Sequence, residues 1–149
     1  NSTLANLQKY LNGFLLNLNA QRQDAMRVVK ELGVKTPSLN TLVAQLSGGN
    51  QQKVVIGKWL NTKANIFIFD EPTRGIDVGA KTEVYNIINN LVKGGAAVIM
   101  ISSELPEILG MSDRIIVISE GRLTAEFTRE EATQEKIMAA ATGGMNYAS

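Results

Sequence analysis

The sequence predicts an α/β fold, a small parallel sheet with a largely helical region ahead of it. Three observations predict it. Ile66-Phe67-Ile68-Phe69 is an unbroken apolar run, which reads as a strand buried on both faces, as in parallel sheets. A second apolar run, Ala96 to Ile101, follows a helical pattern that ends at Gly94-Gly95. Strand, helix and strand in that order imply a right-handed parallel crossover. Residues 1 to about 45, in contrast, are polar-rich and read as helix and turn.

Composition narrows the classes. The chain has 149 residues, one domain's worth by length, and a formal net charge of +1. Such a balance gives no electrostatic case for nucleic acid or an acidic membrane surface. There is no cysteine, and so no disulfide framework. There is no histidine, so no mechanism in this chain uses an imidazole. The run Ala96 to Ile101 is too short to span a bilayer.

Taken in order, Asn19 is placed to cap a helix carrying Ala25, Met26, Val29 and Leu32 at helical spacing, with Gly33 as its C-terminal stop. Leu11 to Leu18 is ambiguous, because Gly13 breaks its pattern. Thr36-Pro37-Ser38 reads as a turn into a short helix near Leu39 to Val43. Ser47 can cap an amphipathic helix from Asn50 to about Asn61. Val54, Val55, Ile56, Trp59 and Leu60 of this helix are expected in the core, and Lys53 and Lys58 in solvent. Val78 to Lys93 is the clearest helix, with Val84, Ile87, Ile88, Leu91 and Val92 on one face.

After the second strand, Ser103 is placed to cap a helix from Glu104 to Leu109. Ile115 to Ile118 reads as a strand. Glu120-Gly121 is a tight turn, and Leu123 to Phe127 is the returning strand of a hairpin. Thr128 with Glu131 fits a capping box opening a helix to about Ala141, with Met138 and the alanines packed inward. The tail Gly143 to Ser149 is expected to be loose.

The chemistry concentrates in three stretches. Asp70-Glu71-Pro72-Thr73 follows the first strand directly, at the carboxyl end where α/β sheets place ligands. Asp70 can hold a hard cation, and Glu71 can orient or deprotonate a water. Leu46-Ser47-Gly48-Gly49-Asn50-Gln51 opens a helix, and its glycines leave backbone N–H groups at the positive end. Arg74-Gly75-Ile76-Asp77 comes just after the acidic pair. Alone, each has an ordinary alternative: a solvated strand end, a capped loop, a turn.

Together, in this order and spacing, they resemble the ABC-type ATPases. Leu46 to Asn50 is similar to the signature motif, with Asn50 in place of the commoner Gln. Ile66 to Thr73 is similar to the Walker B segment with its catalytic glutamate, and Asp77 falls at the D-loop aspartate. The resemblance implies a partial P-loop NTPase core with a helical subdomain. Residues 1–62 would be that subdomain with the signature motif, and residues 63–149 the C-terminal part of the RecA-like core.

It also implies roles. Asp70 would serve Mg2+ and Glu71 would be catalytic. Ser47, Gly48, Gly49, Asn50 and Asp77 would meet ATP held by the opposite ATPase half. Most members carry a histidine at the end of the next strand, and aligning strand ends puts Ser103 there. Serine can hydrogen-bond but cannot share the histidine's proton or charge, which weighs against hydrolysis at this half's own site.

No phosphate loop of the form G-x-x-x-x-G-K-S/T is present; the only Gly-Lys, Gly57-Lys58, continues with Trp59. The Walker A half is therefore expected before residue 1, and this chain alone is not expected to bind ATP usefully. The Walker A strand would lie between Ala96–Ile101 and Ile115–Ile118. Without it, Ile115–Ile118 is expected to stay out of the sheet formed by the first two strands, unless another chain bridges the gap.

Asn50 to Val54, Arg74 to Lys81 and Ser102 to Glu107 resemble the second half of fused double-ATPase subunits of bacterial ribose, galactose or xylose importers. That implies ATP hydrolysis coupled to transport, transmembrane permease partners and a peripheral place on the cytoplasmic face of the membrane. Two other functions share the motifs. A soluble ABC ATPase acting on DNA or ribosomes would be expected to show basic patches or long coiled-coil insertions, which the chain lacks. A non-catalytic assembly module would fit the missing phosphate loop.

Overall fold

The computed structural model describes residues 2–12, 15–62 and 64–143. Gly13 and the tail beyond Gly143, both the subject of expectations above, lie outside these residues. The chain divides into two units, Asn1–Ile99 and Met100–Ser149.

In the first unit, a 3-10 helix over Leu4–Tyr10 leads into two short antiparallel strands, β1 (Leu11–Asn12) and β2 (Leu15–Leu16). The first long helix, α1, spans Leu18–Glu31. Asn17, not Asn19, caps it: the Asn17 side chain accepts from the Ala20 N–H at 3.0 Å. Either asparagine could cap, and Asn17 is the one whose carbonyl oxygen reaches the third helical N–H. The helix ends as expected at Gly33, whose φ of +59° only glycine adopts freely. The N–H of Val34 then reaches back to the Val29 carbonyl at 2.9 Å, satisfying an end-of-helix carbonyl.

Tyr10 is buried and donates to Asp24 at 2.8 Å, and Lys9 and Arg27 pair with the same carboxylate. Burial first, and then the Asp24 carboxylate, pushes the Tyr10 phenol up to about 12. The Lys9 ammonium, and then the tyrosine hydrogen bond, hold Asp24 below its ordinary value against its partial burial.

The short helix expected near Leu39 is absent. Ser38 instead accepts the Asn40 N–H on its hydroxyl and the Thr41 N–H on its carbonyl, closing a turn. Serine side chains compete with helix in this way. A single 3-10 turn, Val43–Gln45, follows.

Helix α2 spans Gly48–Leu60. Its inward stripe is Gly49, Lys53, Ile56 and Gly57. Gly57 lets α1 approach closely: a Cβ there would lie 2.5 Å from Val28 Cγ1 and 2.8 Å from Leu32 Cδ1. Val55 and Trp59, expected in the core, are 47% and 50% exposed.

Strand β3 (Ile66–Asp70) and strand β4 (Ala97–Ile101) pair with each other, joined through α3 (Val78–Lys93) as a parallel crossover. The helix closes with Gly95 at φ +90° and the Ala96 N–H bonded to the Leu91 carbonyl. Burial on both faces of β3 is not seen. Phe67 and Phe69 are buried and stacked, with ring centroids 6.2 Å apart, while Ile66 and Ile68 are about two-thirds exposed. The unbroken apolar run reports what the strand is built to contact. The described residues cover one side of it.

The second unit contains α4 (Leu105–Met111), β5 (Arg114–Ser119), β6 (Arg122–Thr128) and α5 (Gln134–Ala141). Strands β5 and β6 form the expected hairpin, antiparallel and separate from the β3–β4 sheet. Its two turn residues, Glu120 and Gly121, both have positive φ, the geometry of the tight hairpin turn whose twist matches the strands. Ile115, Val117, Ala125, Phe127, Ile137 and Ala140 make the core beneath it.

Thr128 and Glu131 make half of a capping box: the Thr128 N–H bonds the Glu131 carboxylate, but the Thr128 hydroxyl donates to that carboxylate instead of accepting the Glu131 N–H, which goes to the Thr128 carbonyl. The helix nevertheless starts later, where Thr133 accepts from the Lys136 N–H. Thr133 offers the same chemistry nearer the apolar stripe. Met138, expected to pack inward, is 47% exposed.

Candidate functional site

The acidic pair stands where the sheet ends. Asp70 is the last residue of β3 and is exposed; Glu71 follows at φ +47°. A non-glycine residue in the left-handed region costs about 1 kcal/mol or more, and such strain gathers at functional sites. The positive φ turns the chain out of the sheet at once. The Arg74 N–H closes the turn on the Glu71 carbonyl at 3.2 Å, and Pro72 and Thr73 are fully buried beneath it. The glutamate is thus carried on a buried, over-determined corner rather than on a free loop.

Asp77 caps α3: its Oδ1 accepts the Ala80 N–H at 3.0 Å. Ser47 is the N-cap residue of α2, but its hydroxyl does not bond the helix backbone. It accepts from Asn50 Nδ2 at 2.8 Å instead, and Asn50 Oδ1 accepts the Lys35 N–H at 2.8 Å. Asn50 therefore ties the Leu46–Asn50 stretch to the segment after α1. The N–H groups of the first turn of α2, Gly48 to Asn50, have no acceptor within their own helix and lie at its positive end.

These two helix starts meet. A Cβ on Gly49 would fall 2.5 Å from Ala80 Cβ, and one on Gly48 would touch Ile76 Cγ2 at 3.5 Å and the Gly75 carbonyl at 3.7 Å. The Leu46–Asn50 and Gly75–Asp77 stretches are thereby brought together, and Gly49 is required by the approach of α3 to α2. Beside α2 and β3 lies an open cavity of about 340 Å³, lined by residues that include Val55, Ile56, Trp59, Phe67 and Asp70.

Ser103 lies in the second unit and is exposed. Its neighbour Ser102 does the local bonding expected of it, accepting the Glu104 N–H and donating to the Glu107 carboxylate.

Sequence reasoning missed Lys53. It was expected in solvent, yet it is 3% exposed. Its Nζ lies 2.6 Å from Glu83 Oε2 on α3 and 3.0 Å from the Gly33 carbonyl. A buried ammonium is tolerated only with such partners. The signal was present in the spacing, since Gly49, Lys53, Ile56 and Leu60 share one helical face.

Asp70 offers one hard oxygen donor group at the strand end, suited to Mg2+. Among the described residues no group of three or more carboxylates could hold a metal alone. The residues thus fit a cation whose other ligands come from elsewhere, as a nucleotide's phosphates would. No helix among the described residues is long and apolar enough to cross a membrane.

The ABC transporter family model matches residues 2–74. A xylose import ATP-binding protein of Moorella thermoacetica is 62% identical over 97% of this chain, and a ribose import ATP-binding protein of Clostridium tetani is 55% identical over 93%. The chain spans 28% of the length of each. Among solved structures, an ATP-binding cassette of an ABC transporter superposes with a TM-score of 0.72 at 22% identity, over 87% of this chain and 53% of that one. A dimeric bacterial ABC transporter cassette gives 0.68 at 22%, over 83% and 53%. These likenesses establish the fold as a partial ABC ATPase cassette. With the family match over residues 2–74 and the identity across nearly the whole chain, this chain carries part of an ABC transporter domain.

Proposed function

We propose that the protein carrying this chain is an ATP-hydrolysing subunit that energises monosaccharide import through an ABC transporter. These 149 residues would be the C-terminal part of one ATPase half. Residues 1–62 would form the helical subdomain with the signature motif, and residues 63–149 the later part of the RecA-like core. The observation that carries the reading is the 62% identity to a xylose import ATP-binding protein across 97% of the chain. The strained corner at Glu71 and the joined helix starts at Gly49 and Ala80 support it.

ATP would supply the phosphoanhydride bond to be broken, and Mg2+ would offset charge on its phosphate oxygens. Asp70 would furnish a carboxylate oxygen to the cation. Glu71 would orient the attacking water and take its proton. Ser47 and the N–H groups of Gly48, Gly49 and Asn50, with Asp77 beside them, would face nucleotide bound to the opposite half. The permease subunits would be its transmembrane partners, and the cytoplasmic face of the bacterial membrane its place of work. The charge balance offers nothing for nucleic acid.

The test is Glu71→Gln in the full-length subunit assembled with its permease. Hydrolysis at this half is expected to fall by at least about a hundredfold, the low end for losing a general base, with ATP binding unchanged. Unaltered turnover would refute Glu71 as the base, and Ser103 at the histidine position would then favour a half that binds without hydrolysing.

A further inference from the structure

Lys53 and Gly49 lie one turn apart on α2. Their contacts on α3, Glu83 and Ala80, lie one turn apart as well. The glycine contact sets how closely the two helices approach, because any side chain at position 49 would push Ala80 away. The ion pair sets how they are rotated, because it binds one point on each helix at 2.6 Å. A third point, the Gly33 carbonyl at 3.0 Å, anchors the same ammonium to the end of α1. Three elements therefore converge on one buried nitrogen.

We infer that Lys53 is a positioning residue, holding the start of α2 in register with the start of α3 so that the Ser47–Gly49 loop and Asp77 present one surface to the opposite half. The inference rests on the proposed role of those residues at the nucleotide. Lysine suits the task because its long apolar stem can be buried while its head supplies several donors. Glu83 is half-exposed at 48%, so the pair is oriented with its carboxylate toward solvent and its ammonium toward the helix junction. Ile56, Val84 and Ile88, all buried, remain when either partner is neutralised, and the mutual rotation of the elements is then expected to loosen.

The experiment uses the full-length subunit in its transporter, with Lys53→Met, Lys53→Arg, Glu83→Gln and, as a surface control, Lys58→Met. Two readouts are taken. In the first, spin labels at exposed Val55 on α2 and Val78 on α3 report the distance distribution between the helices. In the second, ATP turnover is resolved into kcat and KM. Lys53→Met and Glu83→Gln are expected to broaden the distance distribution and to lower kcat about five- to tenfold with KM within about twofold, the mark of lost alignment rather than lost binding. Lys53→Arg is expected to recover kcat to within about threefold, since charge and donors are kept. Lys58→Met should change neither readout.

Glu83→Gln keeps the side chain's size and an oxygen that can accept from Lys53, whose bond to the Gly33 carbonyl also remains, so this variant is the gentler test of the clamp. An unchanged distance distribution in Glu83→Gln overturns the inference, and so does a broadened one at unchanged kcat. A wild-type transporter that hydrolyses no ATP would overturn the functional reading instead, while the distance measurement would still decide the clamp.

Discussion

Gly57→Ala tests the packing that joins α1 to α2. In an exposed helix this change would stabilise by about 1 kcal/mol, through helix propensity alone. Here the new methyl would sit 2.5 Å from Val28 Cγ1 and 2.8 Å from Leu32 Cδ1, where ordinary carbon contacts lie at about 3.5–4.0 Å. Leu32 Cδ1 is the end of a flexible side chain and can swing. Val28 is β-branched, 3% exposed and stiff at χ1, so it cannot. Overpacking of this kind costs about 1–3 kcal/mol. Set against the propensity gain, the net expectation is destabilisation by about 1 kcal/mol.

The sign should reverse in a Val28→Ala background. There the clashing methyls are gone, the added one refills the space, and Gly57→Ala should stabilise by about 1 kcal/mol. The coupling between the two sites is then about 2 kcal/mol, well above the few tenths expected of independent positions. Urea unfolding of the four proteins of the cycle, read as shifts in midpoint at constant m, measures it. If Gly57→Ala has the same effect in both backgrounds, the close approach of Val28 is not what selects glycine, and the reasoning fails.

Two further outcomes are expected. Tyr10 has a folded-state value of about 12 against an ordinary 10.0, so it favours the fold fully below pH 10 and loses that contribution as pH rises from 10 to 12; thermal unfolding should show a fall over this interval that Tyr10→Phe lacks, and equal falls would refute it. Glu120→Asn should stabilise by about 0.5–1 kcal/mol, because Glu120 stands at φ +49° and asparagine tolerates that region better; a lowered melting temperature would show that Glu120 makes compensating contacts.

The sequence was most legible where signals were local and redundant. Helix α3 was read to its ends because a single apolar face and two closing glycines agree. The hairpin was read from Glu120-Gly121 between two apolar runs. Legibility fell where two residues could do one task. Asn17 and Asn19 could each cap α1, and Thr128 and Thr133 could each open α5. Only packing chose between them.

It also fell where polarity and burial part. Lys53 reads as solvent-facing by type and as core by position, and its two partners are distant in sequence. The acidic pair and the glycine pair were singled out by their places at a strand end and a helix start, and Asp77 through the family resemblance. The meeting of Gly49 with Ala80 was not, because nothing in a linear chain says which glycine is needed for a neighbouring helix and which for a ligand.

The hairpin and its helix have a consequence for how this chain comes into being. Every member of their core lies between Ile115 and Ala140, and the turn that joins the strands is preset by positive φ at Glu120 and Gly121. Contacts so near in sequence close early and at small entropic expense. The pairing of β3 with β4 must instead wait for an intervening helix to form. During refolding, the amides of β5 and β6 should therefore be the first to stop exchanging with solvent, well before those of β3.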